Sequence, residues 1–278
     1  MPPTRTSFKD AWKVLELLPR PTRARKILVR DWEGFKERVE RGDRWFAEKI
    51  THSLYSGDCY ILSGAFDKDF MSELKHKALK FFQSEPSSFH PMQGLPPDFH
   101  KIITEEEGKK YSFPLVKHAA YYFPWNQDPI WGPVWERWRI IKRLMGLETD
   151  AYEKNSPKDG VVDRIQIAHY PPTIGYLAPH TDPYLHQRLF LSAYMSKRGL
   201  DYHGGGFYVV DSDNERRFAE DEIEVGDIGI GYATVVHGVK PCEGEPEWES
   251  GKGRWFLGLY SNVSDEVKDR HTGQAVSL

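Results

Sequence analysis

Between about residue 164 and residue 260, turn residues divide the chain into short β-type segments, and this pattern limits the folds open to it. Glycines mark turns at residues 204–206, 226–227 and 251–253. The predicted strands are residues 164–170, 176–179, 189–195, 207–211, 228–232, 235–239 and 255–260. Short strands at such regular spacing are typical of a β-sandwich or a β-barrel.

The preceding residues instead place apolar side chains near the helical period. Helices are predicted within residues 31–50, where Gly42 interrupts the pattern, after Asp67 or Asp69, and after Asp128-Pro129. A short apolar run at residues 59–62 suits a strand. Since no repeat or linker separates the halves, we predict one α+β domain over residues 1–278. Its mostly helical flank extends to about residue 160, and its β core covers about 161–265.

The predicted helix after Pro129 carries a stripe of apolar residues that includes Trp131, Trp135 and Trp138. Three tryptophans so close together could form a platform for a sugar. Their spacing matches the buried face of a helix, so we favour packing of this helix onto the sheet.

Composition narrows the range of partners. The net charge of −3 and the lack of a long basic run argue against nucleic acid and acidic membranes, so we expect a small-molecule substrate. No segment is typical of a signal peptide or a membrane span, so a cytoplasmic location is expected. The two cysteines, Cys59 and Cys242, lie far apart, and we interpret them as reduced structural thiols.

The triplet His180-Thr181-Asp182 is the first candidate for chemistry. Pro179 and Pro183 flank it and disfavour a helix. In an extended segment, residues two apart point to the same side, so the imidazole and the carboxylate converge. Polar residues between prolines also occur in exposed turns, and the triplet alone leaves both interpretations open.

A third metal ligand is available in the β-type segment YATVVHGVKP, where His237 follows Asp182 by 55 residues. Two histidines and one carboxylate on one face of a metal, with the other positions open, are typical of non-haem Fe(II) oxygenases. The sequence therefore favours a metal site at His180, Asp182 and His237.

A larger set of motifs resembles the core of the Fe(II)/2-oxoglutarate-dependent dioxygenases. In chain order these motifs are His180-Thr181-Asp182, GGGFYVVD at residues 204–211, EVGD at 224–227, HGV at 237–239 and GRWFLGLYSN at 253–262. The resemblance covers roughly the last 115 residues. It implies a double-stranded β-helix, also called a jelly-roll or cupin-like fold, with flanking N-terminal helices that contribute to substrate recognition.

The resemblance also implies cofactors and a reaction. Fe(II) would be held by the two histidines and the aspartate, and 2-oxoglutarate and O2 would be consumed with release of succinate and CO2. Hydroxylation of a small or medium-sized metabolite is the default outcome, and desaturation, epimerisation or cyclisation would use the same residues. The sequence indicates neither the substrate nor the oligomeric state.

A cation should bind the distal carboxylate of 2-oxoglutarate, and Arg254 is the expected one because its guanidinium can bind a carboxylate bidentately. Arg254 follows His237 by 17 residues, a longer interval than in many members of the family, so Arg188 and Lys240 are alternatives. Tyr170 is the candidate hydroxyl for the same carboxylate.

Other candidates come from the segment RIQIAHY. Strand alternation places Arg164, Gln166, Ala168 and Tyr170 on one face, and unpaired polar groups there should line a wet cavity. Gln166 is therefore a candidate for cosubstrate or substrate contact. His169 lies on the other face and is interpreted as a core histidine. The candidates for substrate contact elsewhere are Lys117, His118 and His186.

Two alternatives remain open. A cupin-like oxygenase, isomerase or hydrolase would use the same three metal ligands without 2-oxoglutarate. A non-catalytic jelly-roll module would bind its ligand through aromatic stacking and would need no metal.

Overall fold

The computed structural model describes residues 8–248 and 251–278. Its α-helices are Phe8–Leu15 (α1), Trp32–Arg41 (α2), Arg44–Tyr55 (α3), Lys68–Ser84 (α4), Glu105–Gly108 (α5) and Gly132–Leu144 (α6). Its strands are Lys26–Asp31 (β1), Asp58–Ser63 (β2), Phe99–Ile103 (β3), Leu115–Tyr122 (β4), Val161–Tyr170 (β5), Tyr176–Thr181 (β6), Leu189–Tyr194 (β7), Gly206–Val210 (β8), Arg216–Phe218 (β9), Ile228–Tyr232 (β10), His237–Lys240 (β11), Arg254–Val263 (β12) and Gln274–Ala275 (β13).

From β5 onward the chain passes back and forth between two facing layers. β5, β7, β10 and β12 lie in one layer, in the order β10-β7-β12-β5. β6, β8 and β11 lie in the other layer, where β11 is between β6 and β8. This alternation between layers is the double-stranded β-helix, so the predicted fold class, α+β with a jelly-roll core, is confirmed. The seven predicted strands all occur, with ends shifted by a few residues.

Strands from the first half extend both layers. β1 and β2 continue the first layer beyond β10, while β4 pairs with β5 and, through Leu115 and Val116, with β6. The sequence predicted β2 alone among these strands. The segment of β4, LVKHAAYY, is buried on both sides and so lacks the apolar-polar alternation by which a strand is recognised.

Local signals fix the helix boundaries. Gly42 adopts a left-handed φ of 60°, and its N–H caps α2 by donating to the Arg38 carbonyl, so the predicted interruption separates α2 from α3. Asp43 then caps α3 by accepting from the N–H of Phe46. Of the two aspartates proposed as the cap of α4, Asp67 performs this role.

The apolar stripe of α6 packs into the main core. Trp131 and Trp138 are buried and Trp135 is half-buried, which supports helix packing over a sugar platform. Cys59 and Cys242 are free and buried. Within the two described ranges, no helix has the length and apolar character needed to cross a bilayer.

Candidate active site

Two neighbouring strands of the second layer bring the candidate metal ligands together. His180 lies near the end of β6 and is paired across the ladder with His237, the first residue of β11. Asp182 follows β6 directly, and its N–H donates to the Ala233 carbonyl at 2.9 Å. The sequence predicts that His180 and Asp182 lie on one side of an extended segment. The pairing of β6 with β11 brings His237 to the same side.

The donor atoms of these three residues lie within 4.8 Å of one another. Nε2 of His180 is 3.5 Å from one carboxylate oxygen of Asp182, and Nε2 of His237 is 3.7 Å from the other. Nδ1–H of His180 donates to the Ala178 carbonyl and Nδ1–H of His237 to the Val235 carbonyl. These two bonds leave each Nε2 with a free lone pair facing the carboxylate, as a metal site requires.

The electrostatics of the triad favour the forms that bind metal. Burial, together with the neighbouring His180, lowers the pKa of His237 to about 4, so its imidazole is neutral at neutral pH. Burial opposes the ionisation of Asp182, but the adjacent His180 and His237 and the nearby Lys117 hold its pKa below the usual value. A neutral imidazole and an ionised carboxylate are both ligand forms.

Beside the triad, a small cavity lies between the two layers. It is lined by His180, Asp182 and His237 at one end and by Arg254 and Tyr170. Both guanidinium Nη atoms of Arg254 are buried and lack a hydrogen-bond partner among the described residues, as does the Tyr170 hydroxyl. Three unsatisfied buried donors at one place mark a site for a polar ligand, because such groups are costly to bury unpaired.

Glu220 fixes the orientation of Arg254. Its carboxylate accepts from Nε of Arg254 at 2.5 Å, and also from the Phe207 N–H and the Tyr202 hydroxyl. Although burial disfavours the charge of Arg254, the Glu220 carboxylate raises the pKa of the guanidinium. The Nη edge of the guanidinium therefore remains free. Glu220 was not predicted from the sequence, because no local pattern distinguishes it from the acidic residues around it.

A second, larger cleft of about 560 Å³ also has His180 and Asp182 in its lining. Gln166, Lys117 and His186 line this cleft, and so does the segment after the triplet, with Pro183 and Leu185. Gln166 does not line the small cavity, so its position favours contact with a substrate over contact with a cosubstrate.

His118 lies outside both cavities. It lies next to Lys117 on β4, so alternation turns it to the opposite face, where its ring stacks on Phe82 and bonds to His100. It lines neither cavity and is not carried forward as a substrate contact. His169 is a core histidine as predicted, donating through Nε2 to the Lys252 carbonyl and stacking on Trp255.

The alternative cations do not reach the small cavity. Arg188 is paired with Glu16 at 2.6 Å and donates to the Met145 carbonyl. Lys240 is exposed at the end of β11. The 13 residues between β11 and β12 therefore form a longer connection that still returns Arg254 to the cavity, and loop length itself costs little.

The stability of the folded protein should depend on pH because of three buried histidines. Burial lowers the pKa of His237 and of His169 to about 4 and that of His118 to about 3. Below about pH 6.5 the unfolded chain binds protons that the folded chain does not, so acidification favours unfolding. From about pH 6.5 to about pH 5, we expect the free energy of unfolding of the metal-free protein to fall by about 1.4 kcal/mol per proton per pH unit. Urea titrations at both pH values measure the change, and equal stability would contradict it.

Comparison with known proteins gives matches at the level of the fold. No protein-family model and no curated protein sequence matches the chain. A Neurospora crassa protein, truncated at its C-terminus and in apo form, is 15% identical with a TM-score of 0.50, covering 84% of this chain and 94% of that one. The full-length form of the same Neurospora crassa protein, in complex with alpha-KG and thymine, is 14% identical with a TM-score of 0.50, covering 88% of each chain. A prolyl-4-hydroxylase of Pseudomonas putida is 13% identical with a TM-score of 0.48, covering 77% and 96%. The two similarities at a TM-score of 0.50 extend over most of the chain and establish a shared fold.

Proposed function

We propose that the protein is a non-haem Fe(II)/2-oxoglutarate-dependent oxygenase that hydroxylates a small or medium-sized metabolite. One observation carries the proposal: the His180, Asp182 and His237 triad lines a cavity that is also lined by Arg254, whose Nη atoms are buried and unpaired among the described residues. The Neurospora crassa structure with alpha-KG, which is 2-oxoglutarate, adds support from the same fold.

In this proposal His180, Asp182 and His237 hold Fe(II), with the two histidines fixed by their Nδ1–H bonds to backbone carbonyls. Arg254 binds the distal carboxylate of 2-oxoglutarate through its free Nη edge, and Tyr170 donates its hydroxyl to the same group. When bound, iron, O2 and 2-oxoglutarate together supply the oxidising chemistry, with release of succinate and CO2.

The larger cleft is the proposed substrate site. Its walls include Phe99, Phe113 and Lys117 from the first half of the chain, which supports a role for that half in substrate recognition. Aromatic and aliphatic walls with a few polar groups suit a small organic molecule. The burial of the cavity between layers limits the access of water to the bound cosubstrate.

Turnover of 2-oxoglutarate tests this function. We expect purified protein with Fe(II), O2 and 2-oxoglutarate to release succinate slowly, and a substrate to stimulate that release. Substrate oxidation without any need for 2-oxoglutarate would instead identify a cupin-like metalloenzyme. Ligand binding that persists unchanged in His180→Ala, without Fe(II) binding, would identify a non-catalytic module.

The Tyr170 hydroxyl provides a test of moderate size. Because it has no partner among the described residues, Tyr170→Phe removes a bond to the cosubstrate and costs no bond within the protein. We expect KM for 2-oxoglutarate to rise about tenfold, the loss of one hydrogen bond to a charged group, with the melting temperature unchanged or raised. Steady-state kinetics and thermal unfolding measure the two quantities. An unchanged KM would remove Tyr170 from the cosubstrate site.

A further inference from the structure

One wall of the large cleft gathers polar donors that have no acceptor. Lys117 on β4 and Arg164 and Gln166 on β5 all line the cleft. The cross-strand register pairs Tyr121 with Gln166, so alternation puts Lys117, Arg164 and Gln166 on one face of the sheet. Burial, reinforced by the positive charge of Arg164, lowers the pKa of Lys117 to about 7.

These donors are unsatisfied within the protein. Nε of Arg164 and the amide Nε2 of Gln166 are buried without a partner in residues 8–248 and 251–278. The bond that Arg164 does make is weak, from Nη2 to the Gln166 side-chain oxygen at 3.3 Å. Neither Lys117 nor Arg164 forms an ion pair with a carboxylate of the described chain.

Two other cations of the same cleft are compensated, and Lys110 is exposed to solvent. Lys101 pairs with Glu107 at 3.2 Å, and Arg270 pairs with Asp265. The carboxylate whose charge acts on Lys117 is Asp182, which in the proposed function is a metal ligand. A partly buried guanidinium without an anion of its own destabilises the folded chain, so the presence of Arg164 in this cavity points to a ligand that supplies the negative charge.

We propose that the substrate of this oxygenase carries an oxyanion, a carboxylate or a phosphate, bound by Arg164 and Gln166, with Lys117 on the same wall of the cleft adding positive charge. That the bound anion is a substrate rests on the proposed function. That an anion binds here rests only on the contacts of these residues. The Arg164 guanidinium lies 4.7 Å from the Tyr121 ring centroid and 5.7 Å from that of Tyr260, so two aromatic rings hold it in place.

The rest of the cleft indicates the other part of the molecule. Phe89, Phe99, Phe113 and Leu185 provide apolar walls, while His180 and Asp182 lie where the cleft meets the triad. An acid with an apolar body fits this arrangement, with its anionic end at Arg164 and an apolar carbon toward the metal ligands. The anion proposed for the large cleft is not the carboxylate of 2-oxoglutarate, because Arg254, the proposed partner of that carboxylate, lines the small cavity.

Calorimetric titration of metal-free protein with matched ligands tests the inference. The ligands are arylalkanoic and medium-chain fatty acids, their primary amides, and phosphate monoesters of the corresponding alcohols. We expect acids or phosphates to bind and amides to bind at least about tenfold more weakly, and the stronger of the two anion classes identifies the group. In Arg164→Gln and in Lys117→Gln, we expect anion affinity to fall about tenfold or more, and that of the amides to remain.

Lys240→Gln, which removes an exposed cation outside both cavities, is the control and should bind anions like the parent. Since Lys117 has no ion-pair partner, Lys117→Gln should also raise the melting temperature. If Arg164→Gln does not fold, the anion affinity of Lys117→Gln tests the inference. Amides that bind as well as acids, absence of binding by every acid and phosphate, or unchanged anion affinity in the variants would each overturn the inference.

The two proposals fail separately. Anion-selective binding in a protein that releases no succinate with Fe(II) and 2-oxoglutarate would reject the oxygenase and keep the anion site. Succinate release by a protein that prefers neutral ligands would reject the anion site and keep the oxygenase.

Discussion

We expect His237→Ala to lower the affinity for Fe(II) by about 100-fold or more and to abolish succinate release. Changes to groups that merely orient a metal ligand cost about 10- to 100-fold in affinity, so loss of a ligand should reach or exceed that range. His237 supplies one of three donor atoms that lie within 4.8 Å, and two remaining donors no longer surround one face of the metal. Anaerobic equilibrium binding of Fe(II) measures the effect.

His169→Ala is the matched control for this substitution. His169 is also buried in the β core, but its ring stacks on Trp255 and bonds to the Lys252 carbonyl, away from the triad. We expect His169→Ala to lower the melting temperature and leave Fe(II) affinity unchanged. If the two variants bound iron equally well, the triad would not be the metal site.

The second large effect is expected at Arg254. Arg254→Met should raise KM for 2-oxoglutarate by about 100-fold, because it removes a bidentate charged contact of about 3 kcal/mol. It should also destabilise the fold by about 3–5 kcal/mol, since it leaves the buried Glu220 carboxylate without its cation.

The double variant Arg254→Met/Glu220→Gln separates these two effects. Replacing the carboxylate by a neutral amide removes the uncompensated charge and should recover most of the lost stability. It should not recover 2-oxoglutarate binding, because the Nη donors are still absent. Urea unfolding and steady-state kinetics provide the two measurements. Recovery of KM together with stability would show that Arg254 acts on the fold alone.

Much of the candidate site was predictable because it depends on short-range geometry. The two-residue spacing of His180 and Asp182 in an extended segment places both side chains on one side, and the order of motifs points to His237 and Arg254. The same alternation grouped Arg164, Gln166 and Tyr170. Applied to β4, it also places Lys117 and His118 on opposite faces, and of the two only Lys117 lines the large cleft.

Long-range features of the site were not predictable in this way. The pairing of Glu220 with Arg254 depends on a contact across 34 residues, and the placement of Lys117 on the same face as Arg164 and Gln166 depends on the register between β4 and β5. β4 itself was missed because burial on both faces removes the alternation from its sequence. The strands of the β core were found because glycine turns mark their ends.

The central claim is that the triad and Arg254 together bind Fe(II) and 2-oxoglutarate. Anaerobic titration of the protein with both tests it most directly, since chelation of the metal by the cosubstrate gives a weak visible charge-transfer band. We predict that the band forms with one equivalent of each, is lost in His237→Ala, and needs higher 2-oxoglutarate concentrations in Arg254→Met. Absence of the band from folded protein would contradict the account.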